Sequence, residues 1–200
     1  MLLSCGCLLA ACSAAQNQPT TSSSTPPVSQ SGTIPFDSIQ KANIDFIVGD
    51  INGGIRNLGQ PQKLAFPVYN PKDTIFYWML PDGKSARISI EFKLPNEVRW
   101  PAFYVADNEL MYVRYRNMID APPNSRALES MIYVQDGKII YCEERGGPLK
   151  PGEKPMAIQL KGASKTTRSY AEVEQDYKGN WELVYDFMKK SNVLPASFKK

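Results

Sequence analysis

The sequence predicts an α+β fold in which one antiparallel β-meander of about six strands is packed by an N-terminal and a C-terminal helix. Apolar residues recur at spacings of three and four near 44–58 and again near 170–188, which is the period of an amphipathic helix. Between these regions, short apolar runs are separated by clusters of Gly, Pro, Asn and Asp. Strands that follow each other through such short turns pair antiparallel, so both helices are expected to cover a single sheet.

The first element is a helix predicted over residues 38–58. Asp37 is expected to cap it, with Gln40 as the capping-box partner, while Gly59 and Pro61 end it. Its apolar stripe consists of Ile44, Ile47, Ile51, Ile55 and Leu58. The segment also contains three glycines, Gly49, Gly53 and Gly54. They weaken the helix, or they let a strand or a partner approach closely.

The β region follows, and its clearest turn is Asp136-Gly137 between two apolar runs. That dipeptide suits a hairpin turn whose residues need positive φ. Pro81-Asp82-Gly83 has turn chemistry and joins another pair of strands. The predicted strands are residues 64–69, 74–80, 86–94, 110–116, 131–135 and 138–143. A Gly/Pro loop at 146–155 and a short strand at 156–160 are expected after them.

The C-terminal segment is predicted as a helix over residues 170–191. Ser169 and Glu172 form a capping-box pattern at its start, and two lysines near its end complement the helix dipole. The apolar stripe is Tyr170, Val173, Tyr177, Trp181, Val184 and Met188. A hairpin remains the alternative, because residues 181–187 also alternate and Lys178-Gly179-Asn180 suits a turn.

Composition limits the class of protein. The 200 residues are 42 % hydrophobic, and residues 34–200 are enough for one domain with its own core. The net charge of +3 is too small to indicate a nucleic-acid partner. The sequence has no histidine, which excludes Ser-His-Asp and Cys-His catalysis and histidine-ligated metal sites. Cys142 lies in an apolar run, which predicts a buried structural cysteine rather than a reactive thiol.

The most specific motif is near the N-terminus. Leu9-Ala10-Ala11-Cys12 follows a short apolar run and leads into a stretch rich in Ser, Thr, Pro and Gln. It resembles the lipobox of bacterial lipoproteins. The resemblance implies a signal peptide at 1–11, a diacylglycerol on the thiol of Cys12, and a flexible tether at 12–33. The apolar run ends at Ala15, short of the about 20 residues that a membrane span needs.

The same resemblance implies a location in the bacterial envelope. Ser13 and Ala14 lack the acidic residue that often marks retention in the inner membrane. An outer-membrane lipid anchor facing the periplasm is therefore favoured, and an inner or single membrane stays open. A signal peptide opens with positive charge, whereas the first basic residue here is Lys41. We therefore expect the true start to lie upstream of Met1.

The candidate ligand or partner face lies on the predicted strand 110–116. Tyr112, Arg114 and Arg116 share one face of that strand by its period of two, and Tyr104 and Arg99 lie near them in sequence. Such a face can bind anionic headgroups, a glycan or the carboxylates of a protein partner through charge and stacking. An ordinary solvated sheet face is the alternative.

Other patterns that carry chemistry are assigned to structure. Ser38 and Lys41 match the S-x-x-K pattern of penicillin-binding enzymes, but the other motifs of those enzymes, Ser-x-Asn and Lys-Thr-Gly, do not occur, so a capped helix start is predicted. Residues 107–109 form a predicted turn without the spacing of a calcium loop. Trp78 and Trp100 are expected to pack in the core or against the sheet rather than to form a ligand platform. No catalytic residue, cofactor or metal site is predicted.

A second resemblance concerns the folded part. Leu58-Gly59-Gln60-Pro61 followed by a β-meander resembles the small helix-plus-sheet lipoproteins that support outer-membrane barrel assembly, which are shorter and lack the C-terminal segment. The expected function is a non-enzymatic binding or adaptor module for an envelope protein partner. The alternative is a carrier or sensor of a small apolar or anionic envelope ligand, either a lipid or a glycan. A hydrolase that uses Ser38 or a carboxylate pair is the third hypothesis.

Overall fold

The computed structural model of the protein describes residues 36–120, 125–148 and 162–200. The predicted signal peptide, Cys12, the tether and the strand at 156–160 lie outside these residues, so they stay predictions. In chain order the elements are α1 (Phe36–Leu58), β1 (Gln62–Ala65), β2 (Thr74–Met79), β3 (Ala86–Ile90), β4 (Phe92–Leu94), β5 (Glu97–Ala106), β6 (Glu109–Ile119), β7 (Arg126–Gln135), β8 (Lys138–Pro148), β9 (Ser164–Lys165) and α2 (Tyr170–Lys190).

The strands of the described residues form one nine-stranded antiparallel sheet, in the order β1-β2-β3-β5-β6-β7-β8-β9 with β4 paired to β5. A meander of this kind with a helix before it and a helix after it confirms the α+β prediction. The expected number of about six strands is too low. Two predicted strands also differ in extent, because 64–69 becomes the shorter β1 and 86–94 is divided into β3 and β4.

The longest strand that the sequence does not predict is β5, which has 10 residues in the middle of the sheet. Pro101 lies within it, and proline argues against a central strand because it donates no hydrogen bond to a ladder. The register explains why this proline is tolerated. Ser89 pairs with Ala102 and Phe92 pairs with Arg99, so Pro101 lies opposite the interruption between β3 and β4. The missing donor therefore coincides with a break in the neighbouring ladder.

Strands β7 and β8 extend well beyond the predicted strands 131–135 and 138–143. Asp136 and Gly137 form their turn with φ of 51° and 71°, which confirms the predicted hairpin. From that turn the two strands remain paired as far as Arg126 and Pro148. The beginning of the predicted Gly/Pro loop is therefore part of the sheet.

Helix α1 packs on one face of the sheet through its predicted stripe. Ile44, Ile51 and Ile55 are buried there, whereas Leu58 is 42 % exposed and lies outside the contact. The prediction that Asp37 caps the helix is wrong, because Asp37 lies within the first turn. Its carboxylate instead accepts a hydrogen bond from Lys165 Nζ at 3.2 Å.

Helix α2 covers the opposite face as one continuous helix, which excludes the hairpin alternative. The Ser169 hydroxyl accepts a hydrogen bond from the Glu172 backbone N–H, and the Glu172 carboxylate accepts one from the Ser169 backbone N–H, so the predicted capping box is confirmed. The buried stripe is Val173, Tyr177, Trp181, Val184 and Met188. It packs against fully buried sheet residues, among them Phe103, Val113 and Ile132. In the described part of the chain, no helix has an apolar stretch long enough to cross a bilayer.

Candidate functional site

Four tyrosines form a row across the sheet beneath α1. The ring centroids are 5.3 Å apart for Tyr104 and Tyr112, 5.0 Å for Tyr112 and Tyr133, and 5.7 Å for Tyr133 and Tyr141. The register creates the row, because each tyrosine is directly opposite the next on β5, β6, β7 and β8. Edge-to-face aromatic pairs of this kind contribute roughly 0.5–1.5 kcal/mol each.

The tyrosine row fastens α1 to the sheet. The Tyr133 hydroxyl donates to Asp45 Oδ1 at 2.8 Å, and the Tyr104 hydroxyl donates to Asn52 Oδ1 at 3.3 Å. Tyr112 lies between these two tyrosines and is only 7 % exposed, and burial raises its pKa above the ordinary value. Of the three residues predicted to form the candidate face, Tyr112 is therefore in the interior and does not join an exposed ligand surface.

Arg114 and Arg116 lie further along the same face and meet a third arginine at one carboxylate. Arg114 Nε donates to Glu129 Oε1 at 2.6 Å, and Arg116 Nη2 donates to the same oxygen at 3.0 Å. Arg145 Nε donates to Glu129 Oε2. These four residues are called the arginine cluster below. Arg99, which is near them in sequence, lies on the opposite face of the sheet.

The charges of the arginine cluster do not balance. The Glu129 side chain is 0 % exposed. Burial alone would raise its pKa, but the hydrogen bonds and charges of the three arginines outweigh burial and lower the pKa below the ordinary 4.5. Glu129 is thus ionised at neutral pH. One carboxylate among three guanidinium groups leaves two positive charges uncompensated within the cluster, and the Arg114 side chain is 43 % exposed.

Among the described residues, neither helix packs over the arginine cluster. Helix α1 crosses the strands at the level of the tyrosine row, and the apolar neighbours of the cluster, Val98, Trp100 and Met118, are half-buried and belong to neither hydrophobic core. Trp100 therefore lies outside both hydrophobic cores and packs on the sheet, directly opposite Arg116. Trp78 does pack beside α1, and its indole N–H donates to the Gly59 carbonyl at 3.0 Å. The arginine cluster together with Val98, Trp100 and Met118 is called the open sheet face.

The sequence prediction misses Glu129 and Arg145. Both lie in the parts of β7 and β8 beyond the ends of the predicted strands. The turn alone does not find them, because the register of the hairpin shifts by one residue between Tyr133 and Val134. Beyond that bulge Glu129 lies directly opposite Arg145, and the pairing of β6 with β7 places it beside Arg116.

Ser38 and Lys41 are not arranged for nucleophilic catalysis. Lys41 Nζ donates to Asp45 Oδ2 at 2.7 Å and lies 3.6 Å from a carboxylate oxygen of Glu143. Burial acts to lower the pKa of Lys41, but its hydrogen bond to Asp45 and the charges of both carboxylates raise the pKa above the ordinary 10.5. A lysine that acts as a general base needs the opposite shift.

The other candidates from the sequence, residues 107–109 and Cys142, lie at a turn and in the core. Asp107 and Asn108, with φ of 50° and 68°, form the hairpin turn between β5 and β6. Cys142 is fully buried in the core on the α2 side, and burial raises its pKa to about 12. Over residues 36–120, 125–148 and 162–200, no group of three or more His, Cys, Asp or Glu is placed to hold a metal ion.

Comparisons with protein-family models, curated proteins and solved structures give no match to this chain. The lipobox and the helix-plus-sheet resemblance therefore depend on the residues quoted for them. The arginine cluster and its surroundings are the structural basis for assigning a function.

Proposed function

We propose that this protein is a lipid-anchored, non-enzymatic binding module of the bacterial envelope that holds an acidic segment of a protein partner on its open sheet face. The observation that carries the proposal is the arginine cluster, in which three guanidinium groups share the buried carboxylate of Glu129. The anchor is the predicted lipid on Cys12, which keeps the module at the membrane. Anchoring raises the effective concentration of a partner in the same envelope, so a modest interface is sufficient.

Glu129 prepares the arginines for recognition. It holds one edge of each guanidinium, so less side-chain freedom is lost when a ligand binds the other edge. Among the described residues, Arg114 uses only its Nε in hydrogen bonds. Its two Nη groups therefore remain for a carboxylate, which is the geometry that favours bidentate Arg–carboxylate bonds.

The surroundings of the cluster favour a protein partner over a small ligand. Val98, Trp100 and Met118 add apolar and aromatic surface beside the charges. Protein interfaces are enriched in aromatic residues, methionine and arginine. An uncovered sheet face also offers contact area rather than the enclosure that small ligands need.

The test is photo-cross-linking of the full-length protein in its own membrane, with a photoreactive amino acid in place of Met118. We expect a cross-linked protein partner whose yield falls roughly tenfold when Arg114→Gln is added, because a hydrogen bond to a charged group contributes about 1.5–3 kcal/mol. Lys178→Gln is the matched control, since it removes one positive charge from the exposed surface of α2. Its cross-linking yield should equal that of the protein in which Arg114 and Lys178 are both unchanged.

Three outcomes would contradict parts of the proposal. A partner whose cross-linking yield does not change in Arg114→Gln binds elsewhere on the molecule. A lipid or small-molecule adduct without any protein adduct supports the carrier alternative instead. An intact mass that shows no acyl chains on Cys12 removes the anchor, whatever the cross-linking result.

A further inference from the structure

A cavity of about 790 Å³ lies on the other face of the sheet, between α2 and the ends of β6, β7 and β8. Tyr115, Asn117 and Ser130 line it from the sheet, and Asp176 and Asn180 line it from the helix. Its volume is within the range of small-molecule sites, about 300–1,000 Å³. The tyrosine and asparagine on β6 alternate with the arginines of the arginine cluster and therefore face the opposite way.

Most of the charged side chains that line this cavity are ion-paired, and Arg126 is the exception among the described residues. Arg168 binds Glu144 and also donates to Asp176 Oδ2 at 2.6 Å. Arg99 makes two hydrogen bonds to Glu97, at 2.7 Å and 2.8 Å. Charges that are matched in this way hold the wall rigid and leave little net attraction for an ion. The cavity thus differs from the arginine cluster, where positive charge is in excess.

Neutral polar groups, the apolar side chains of Ile119 and Leu128, and one exposed ring also line the cavity. Asn180 Nδ2 donates to the Asp176 carbonyl at 3.1 Å and lies 3.5 Å from the Tyr115 hydroxyl, while Asn117 Oδ1 has no hydrogen-bond partner among the described residues. Tyr69 lines the rim and is 56 % exposed. Amides and hydroxyls both donate and accept, which suits a ligand rich in hydroxyl groups. An exposed aromatic ring suits the apolar C–H face of a sugar.

A glycine keeps the cavity open. Gly179 lines it from the middle of α2, where glycine is the least favourable residue after proline. A Cβ at this position would meet no atom within 4 Å, so close packing does not require the glycine. A larger side chain at residue 179 would extend into the cavity.

We infer that this cavity binds a neutral saccharide segment, which is hydrogen-bonded by Asn117, Asn180 and Tyr115 and packed on the ring of Tyr69. An anion would find Arg99 and Arg168 already paired with carboxylates, and only Arg126 among the lining arginines makes no ion pair with a described residue. An apolar ligand would leave buried amide and hydroxyl groups without partners, which is costly. Glu129 and Arg145 of the arginine cluster also line this cavity. The saccharide contacts come from other side chains, Asn117, Asn180, Tyr115 and Tyr69, so either proposal can fail without the other.

The test is saturation-transfer NMR on the full-length protein in a detergent without a sugar headgroup. The probes are maltotriose, triacetylchitotriose and, as an acidic comparison, trigalacturonic acid. We expect transfer to at least one neutral trisaccharide and at least tenfold weaker binding in Gly179→Leu, whose side chain extends into the cavity. Gly49→Leu is the matched control, because Gly49 is an exposed glycine of α1 whose Cβ also meets nothing within 4 Å.

The fold of Gly179→Leu is checked by urea unfolding, and its midpoint should equal or exceed that of the unsubstituted protein because leucine is a better helix former than glycine. If that variant does not fold, Tyr69→Ala takes its place, with an expected loss of affinity of about threefold or more. No transfer to either neutral probe would overturn the inference, as would tighter binding of the acidic probe or unchanged binding in the folded variant. Co-sedimentation with purified cell-wall sacculi then separates a polymer source of the saccharide from a soluble one.

Discussion

Each face of the sheet carries a group of paired arginines and carboxylates, and these two groups have opposite ratios. On the α1 side, three arginines share Glu129, which is the one carboxylate of the arginine cluster. On the α2 side, Arg168 alone binds two carboxylates, Glu144 and Asp176. The net charge of +3 describes neither face. The local ratio of guanidinium groups to carboxylates decides which surface attracts an anion, and it differs between two sides of the same strands.

The largest expected difference between the faces concerns stability. Phe103 is fully buried on the α2 side, with its ring 5.1 Å from that of Trp181, so Phe103→Ala should lower the free energy of unfolding by about 3–5 kcal/mol. Trp100 is three residues away on the same strand but on the open sheet face. Trp100→Ala should cost about 1–2 kcal/mol, because only part of its ring leaves water on folding. Urea unfolding of both variants measures the difference, and equal losses would mean that the open sheet face is covered.

Glu129→Gln tests the charge balance of the arginine cluster. At pH 7 we expect the free energy of unfolding to fall by about 2–3 kcal/mol, because the three arginines lose their shared carboxylate. The folded-state pKa of Glu129 is lowered from the ordinary 4.5. Its contribution is therefore fully present above pH 4.5 and is lost as the pH falls through the folded-state value.

The pH dependence separates this charge effect from a simple packing defect. The difference between the unsubstituted protein and Glu129→Gln should shrink as urea unfolding is repeated from pH 7 towards pH 3. Glu174→Gln is the control on the α2 side, since Glu174 pairs with Lys178 at the surface, and its stability should stay within the error of the measurement. A difference for Glu129→Gln that does not change with pH would contradict the ionised state of the carboxylate.

The smallest expected effect concerns the helix that covers the other face. Ser169→Ala removes half of the capping box of α2 and should lower the free energy of unfolding by about 1 kcal/mol. Ser164→Ala, at an exposed position of β9, is the matched control. Hydrogen exchange of the first turn of α2 should become faster in Ser169→Ala and stay unchanged in Ser164→Ala. Equal exchange in both variants would show that packing, rather than the cap, holds this end of the helix.

The elements that the sequence predicts well depend on neighbours in the chain. The capping box at Ser169 and the Asp136-Gly137 turn each involve a few consecutive residues, and the apolar stripe of α2 follows from one period. Strand β5 is missed because Pro101 is unfavourable in a strand unless the adjacent ladder is broken. That break lies in β3 and β4, which a local pattern at residues 97–106 does not contain.

The candidate site was predictable in part. Arg114 and Arg116 share a face by the period of a strand, whatever surrounds them. Glu129 and Arg145 join them only through the pairing of β6, β7 and β8. Their place in the cluster depends on how far a hairpin extends, and this length is decided by contacts along the whole ladder.

By itself, the sequence determined the α+β class, the two amphipathic helices, the central hairpin turn and the burial of Cys142, because composition and short-range spacing carry that information. Only the tertiary structure decided that Tyr112 is interior and Arg114 is partly exposed, although the two lie on one face of one strand. Helix α1 crosses the sheet above the tyrosine row and does not extend over the arginine cluster. Which part of a sheet face a helix covers depends on its crossing position, and that position results from packing between residues far apart in the chain.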